Sequence, residues 1–241
     1  MRFNNWNCGR MRKSLQLSLT AVFASLHAVL YFVSFGLWRN WAIYLEPIEG
    51  VVLGPKIGFF AALIGSLVAR MIRPDDFWMF GIVAEPVSVL VAGFLSRANW
   101  KPALAAYAVM ISAYFISPFG RALPIWTILD ILFALLLIYP TARISGDLFK
   151  MNSYSLSVAL ILISFVCIAT DSLVRVFLLV PCGLYNMFFP SFGSLYGEFA
   201  KDAVSSYVED LIVVLVSFLV GTPLIVGLSK IRVHERPDDN S

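Results

Sequence analysis

Charge is scarce in this chain. Asp, Glu, Lys and Arg make up 14% of its 241 residues against 59% apolar types, and the mean hydropathy is +0.82. Too little polar material remains to cover a water-exposed surface, which excludes a soluble domain or a water-soluble enzyme. Polar linkers are missing too, since apolar runs recur from end to end. One membrane domain is therefore expected over 15–229, between a cytoplasmic segment at 1–14 and a cytoplasmic tail at 230–241. Cysteine is also sparse. Cys8, Cys167 and Cys182 are odd in number and lack CxxC spacing, so neither a disulfide framework nor a zinc site is suggested.

Catalytic signatures are absent as well. There is no GxxxxGK[ST] phosphate loop and no GxSxG elbow. The two histidines, His27 and His234, form no HExxH, and His27 is expected to face a neighbouring helix or the lipid boundary. Glu46 and Glu49 come nearest to the paired acids of a membrane protease, but no histidine in a later span joins them. The expectation is a chain that is not an enzyme and holds no cofactor or metal of its own.

What is present is an all-α pattern, a polytopic helical bundle of six to eight transmembrane segments. Apolar segments run roughly 15–37, 43–53, 56–72, 77–96, 102–117, 124–142, 155–180 and 204–229. The first follows a basic stretch but is too long for a signal-peptide core and is read as retained. The second spans only about 16 Å as a helix, short of a hydrocarbon core of about 30 Å. It should be short, tilted or broken, with Gly54 and Pro55 ending it. Ser117, Pro118, Gly120 and Pro124 interrupt the chain between the fifth and sixth segments, which form two helices or one broken element.

Orientation follows from lysine and arginine. With the N-terminus inside, twelve fall in the inner segments and five in the outer ones (Arg39, Arg70, Arg73, Arg121 and Lys201), which favours both termini in the cytoplasm. The net charge of +3 thus reflects a multi-pass cell-membrane protein and calls for no nucleic-acid partner. Trp38, Trp41, Tyr44, Trp78 and Trp126 would lie toward the outer side, as an aromatic belt or stacked on a ligand.

Seven acids sit in or at the edge of spans, namely Glu46, Glu49, Glu85, Asp130, Asp171, Glu209 and Asp210, all in the outer half of this topology. Each is costly there, about 2.5 to 3.5 kcal/mol at a helix centre on the lowest scales. Only Arg175 opposes them within a span, so the excess is negative and a cationic or proton-rich ligand would balance it. Local alternatives exist. Asp171 and Arg175, spaced i, i+4, can pair with each other. Glu46 and Glu49 can be solvated charges at a helix N-terminus. Glu209 and Asp210 point about 100° apart, so at most one faces a shared pocket. Candidate solute-binding residues are Glu46, Glu49, Trp78, Glu85, Trp126, Asp130, Asp171, Arg175 and Glu209.

Two patterns carry a family resemblance. Ala24-Ser-Leu-His-Ala28 sets two alanines one turn apart on the first helix, which permits close approach of another helix. Glu46-Pro-Ile-Glu-Gly-Val-Val-Leu-Gly-Pro-Lys-Ile-Gly58 is a short apolar helix followed by an LGPxxG turn. Together they resemble the substrate-binding S components of energy-coupling factor (ECF) vitamin transporters over roughly residues 15–97. The resemblance implies six helices with both termini inside, a micronutrient bound in the outer half, and Ala24 and Ala28 against the ECF transmembrane coupling subunit. ATP would be used by separate ATPase subunits. The stretch from Pro181 to Lys201 resembles the last capping loop, whereas the material between about 102 and 142 departs from the six-helix pattern. The expected function is solute capture for an ECF-type importer, with a cationic, planar nutrient as solute. A proton-coupled secondary transporter is the alternative.

Overall fold

The computed structural model describes residues 13–33, 40–74, 77–146, 148 and 151–234. Cys8, Trp38, Arg39 and Lys150 lie outside the described residues, as do most of the N-terminal segment and the end of the tail. Among the described residues 86% are helical and none lies in a strand. The order is α1 (Lys13–Tyr31), a 3₁₀ turn (Trp41–Tyr44), α2 (Glu46–Leu53), α3 (Pro55–Ile72), α4 (Trp78–Leu95) and α5 (Lys101–Ile116). Next come α6 (Pro118–Ala122), a 3₁₀ turn (Ile125–Ile128), α7 (Leu129–Ile144), α8 (Ser153–Leu179), α9 (Tyr185–Phe188) and α10 (Phe192–Val216). A π turn (Ser217–Gly221) leads into α11 (Thr222–His234).

Among the described residues, five helical stretches are long and apolar enough to cross a membrane: Pro55–Ile72, Trp78–Leu95, Ile125–Ile144, Ser153–Leu179 and Phe192–Leu228. Apolar helices at Gln16–Tyr31 and Lys101–Ile116 are shorter, about 24 Å each at 1.5 Å per residue. Exposed apolar side chains such as Val22, Phe60, Val109, Leu136 and Leu219 cover the outside, the surface a bilayer solvates. α8 is the central pillar. Its most apolar window is 72% buried, against 28% for the last helix, and it packs on α2, α4, α5, α7 and α10.

Local chemistry sets the breaks. α2 ends at Gly54, whose φ of +79° favours glycine, and Pro55 opens α3 at a position where the missing N–H costs nothing. Ser117 and Pro118 divide α5 from the short α6, so 102–142 holds two long helices joined by short helical turns.

Two expectations are corrected here. The stretch from Pro181 to Lys201 is a loop only in part, because Ser191 and Ser194 form a reciprocal capping box and α10 begins at Phe192. Trp41 and Tyr44 stack edge to face, their rings 5.8 Å apart, and pack with Ile43, Ile168 and Val213 in the interior instead of forming a boundary belt. Ala24 is 6% exposed and packs with Leu53 and Ala61, while Ala28 lies against Tyr31, Ala42 and Ala69. Ala24 is thus packed within the chain, whereas Ala28 is only half-buried. A Cβ on Gly65 of α3 would come within 2.8 Å of His27 Cβ and 2.7 Å of the Ala24 carbonyl oxygen.

Candidate functional site

Two adjoining structures absorb most of the intramembrane charge. The deeper is an ion network joining α1, α2, α3, α4 and α8. His27, fully buried on α1, places Nδ1 3.2 Å from Glu49 Oε2 and Nε2 3.1 Å from Glu85 Oε2. Both ring nitrogens face carboxylates, an arrangement that the doubly donating imidazolium satisfies. Glu85 on α4 also accepts a two-pronged bond from Arg70 of α3, Nη1 to Oε2 at 2.9 Å and Nη2 to Oε1. Arg70 Nη1 further donates to Ser66 Oγ at 2.5 Å. Gly81 makes the room, since a Cβ there would run into the Arg70 guanidinium.

The neighbouring acids close the network. Ser88 Oγ donates to Glu46 Oε2 at 2.5 Å, and Arg175 Nε donates to Asp171 Oδ2 at 2.7 Å. Arg175 Nη2 also lies 3.6 Å from Glu85 Oε1, which ties α8 to α4. Glu46 and Glu49 are fully buried, so the expectation of solvated N-terminal charges is corrected. Each keeps one carboxylate oxygen without a hydrogen-bond partner.

Above Arg175 opens a cavity of about 300 Å³. Its walls come from the start of α4 (Phe77 beside it and Phe80), the start of α7 (Asp130), the end of α8 (Ser172, Arg175) and the first half of α10. α10 contributes Glu198, Asp202, Ser206 and Glu209, and Phe189 and Phe199 supply aromatic surface. Asp130, Glu198, Asp202 and Glu209 thus line the cavity with Arg175, which is hydrogen-bonded to Asp171 and lies 3.6 Å from Glu85; Glu198 is paired with Lys201 at 3.1 Å. A chamber with charged groups beside aromatic surface has the chemistry to hold a small organic molecule. Among the described residues, no group of three or more His, Cys, Asp or Glu could hold a metal ion.

The nine sequence candidates thus divide. Asp130, Arg175 and Glu209 line the cavity; Glu46, Glu49, Glu85 and Asp171 belong to the network beneath it. Trp78 and Trp126 are each 43% exposed and do not line it, whereas their neighbours Phe77 and Thr127 do. One residue along a helix turns the side chain by about 100°, enough to move an indole from the chamber to the outer face.

Sequence reasoning missed His27 and Arg70. A lone histidine in an apolar helix has no sequence neighbour to reveal its partners, and Arg70 was placed in an outer segment because it is two residues from a helix end. The count of seven acids to one arginine is accordingly corrected, since Arg70 and His27 also lie inside. The available signal was a pair of opposite charges, Arg70 and Glu85, on the two arms of one helical hairpin. Also missed were Glu198, Asp202 and Ser206, polar residues in or beside the stretch that resembles a capping loop, and Ser172, an uncharged residue inside the 155–180 span.

No family model matches the chain, and no solved structure matches it. It is similar to an uncharacterized protein of Methanocaldococcus jannaschii, 28% identical over 131 residues, which is 54% of this chain and 44% of that protein. The chain thus spans less than half the length of this relative.

Proposed function

We propose that this chain is a solute-capture subunit of an ECF-type importer in the cell membrane, with both termini in the cytoplasm and a small organic cation bound in the outer cavity. The observation that carries the reading is the chamber of about 300 Å³ lined by Asp130, Glu198, Asp202, Glu209 and Arg175 beside the rings of Phe77, Phe80, Phe189 and Phe199. That size lies at the lower end of small-molecule sites, roughly 300 to 1,000 Å³. The LGPxxG turn and the short buried α2 are the features shared with S components. Burial of Arg70 in the network leaves four basic residues on the outer side against twelve inside, which strengthens the charge bias that supports this orientation. With α1 and α5 counted as crossings and the short α2 returning the chain to the inner side at Gly54, eight passes bring both termini to the cytoplasm. ATP is hydrolysed by the partner subunits, and this chain carries no catalytic step.

Purification of the tagged chain from its native membrane tests the assignment. A transmembrane coupling subunit and ATPase subunits are expected to co-purify, together with a cationic small molecule. Uptake by the chain alone in proteoliposomes, driven by a proton gradient, would overturn it in favour of a proton-coupled transporter. The fully buried His27 held between Glu49 and Glu85 is the observation that favours this second reading.

A further inference from the structure

Glu46 stands apart from the other acids of the buried network. Glu49 faces His27, Glu85 faces His27 and Arg70, and Asp171 faces Arg175. Glu46 is fully buried too, yet among the described residues no basic group forms an ion pair with it. Its Oε1 has no hydrogen-bond partner. Its Oε2 has one, the hydroxyl of Ser88 on α4 at 2.5 Å.

That hydroxyl is also engaged elsewhere. Ser88 Oγ lies 2.7 Å from the backbone carbonyl oxygen of Glu85, one turn back on α4. Both distances are those of hydrogen bonds between oxygens, and a serine hydroxyl has a single hydrogen. Were Glu46 ionised, two acceptors would compete for that hydrogen, and one of the two close contacts would join bare oxygens. The carboxylate would then keep its charge in the interior on at most one donor, with Asp171 and Glu85 acting on it as like charges. A proton on Oε2 removes both conflicts. Glu46 donates to Ser88 Oγ, Ser88 gives its own hydrogen to the Glu85 carbonyl, and Oε1 becomes the carbonyl oxygen of a neutral acid, for which a missing donor costs far less than for a carboxylate.

We infer that Glu46 is a proton-binding site, a neutral carboxylic acid whose O–H bonds Ser88 Oγ and so ties α2 to α4. The acid, and not the serine, is then the donor in their contact. The charged groups of the surrounding network are Glu49 on the same helix, His27 on α1, Arg70 on α3, Glu85 on α4, and Asp171 and Arg175 on α8. Moving a proton between His27 and Glu49 leaves the assignment unchanged, because neither is hydrogen-bonded to Glu46. The inference goes beyond solute capture and holds whichever solute the outer cavity takes.

Infrared difference spectroscopy on the full chain in lipid nanodiscs at neutral pH tests it. The spectrum of the unaltered chain minus that of Glu46→Gln should contain the C=O stretch of a carboxylic acid and lack the paired stretches of a carboxylate. Carboxylate stretches in place of the acid band would overturn the assignment. Ser88→Ala, read directly against the unaltered chain, keeps the test available if Glu46→Gln fails to fold. It should move the acid band to higher frequency, since the O–H loses its acceptor; an acid band that does not move would overturn the bond to Ser88. Unfolding gives a second readout. Glutamine is a neutral isostere with an N–H in place of the O–H, so Glu46→Gln should leave the unfolding midpoint in mixed detergent micelles nearly unchanged, whereas Glu85→Gln lowers it. An equal drop in the two variants would place Glu46 among the ionised members and overturn the inference.

Discussion

Replacing Glu85 by glutamine separates a structural ion network from a solute site. Glu85 is 2% exposed and is the common partner of Arg70, His27 and, at 3.6 Å, Arg175. Glutamine has nearly the same size but carries no charge, and its NH₂ would be turned toward a guanidinium or imidazole donor. Arg70, 4% exposed, would then lose the carboxylate that balances it. Removing one partner of a buried pair costs about 3 to 5 kcal/mol, and an uncompensated charge at a helix centre costs about 2.5 to 3.5 kcal/mol. The two figures describe the same loss, so about 3 kcal/mol is expected, more than a hundredfold in the unfolding equilibrium. Unfolding in mixed detergent micelles with rising dodecyl sulfate, followed by tryptophan fluorescence, measures it. Arg70→Gln should cost a similar amount, and the double variant less than the sum of the two, because the second change removes a charge that the first left stranded. A loss below about 1 kcal/mol for Glu85→Gln, or strictly additive singles, would refute the network.

The cavity acids bear on binding. Asp130→Asn and Glu209→Gln are each expected to weaken binding of a cationic solute by about 1.5 to 3 kcal/mol, roughly tenfold or more; titration of the purified variants checks this. Trp78→Ala, at an outward-facing position, should leave affinity unchanged in the same titration. Gly54→Ala should cost about 1 to 3 kcal/mol, because φ +79° with ψ 176° lies in a region that only glycine adopts readily, and Gly81→Ala about 1 to 3 kcal/mol by displacing Arg70, both read as shifts in the unfolding midpoint. Topology is checked with the chain's own thiol. Exposed Cys182, in a Cys8→Ser background, should react with a membrane-impermeant maleimide added outside, while a cysteine at Ala98 reacts only after permeabilisation; the reverse pattern would invert the orientation.

Composition alone made this a helical membrane protein, because burial in lipid forces backbone polar groups to pair within each segment and leaves the side chains to be apolar. The short α2, its stop at Gly54 and Pro55, and the break at Ser117 and Pro118 were likewise legible, since φ restrictions and missing N–H groups act within a few residues. The i, i+4 pairing of Asp171 with Arg175 and the divergence of Glu209 from Asp210 follow from helix geometry by itself. Other features depended on which faces of distant helices meet. His27 and Glu85 are 58 residues apart, and Arg70 reaches Glu85 only because Gly81 leaves space beside it. The same face-to-face packing turned Ala24 inward onto α3 and split the acids between a buried network and a cavity. Sequence spacing fixes the direction of a side chain around its own helix axis; what stands opposite it is fixed only when the helices pack.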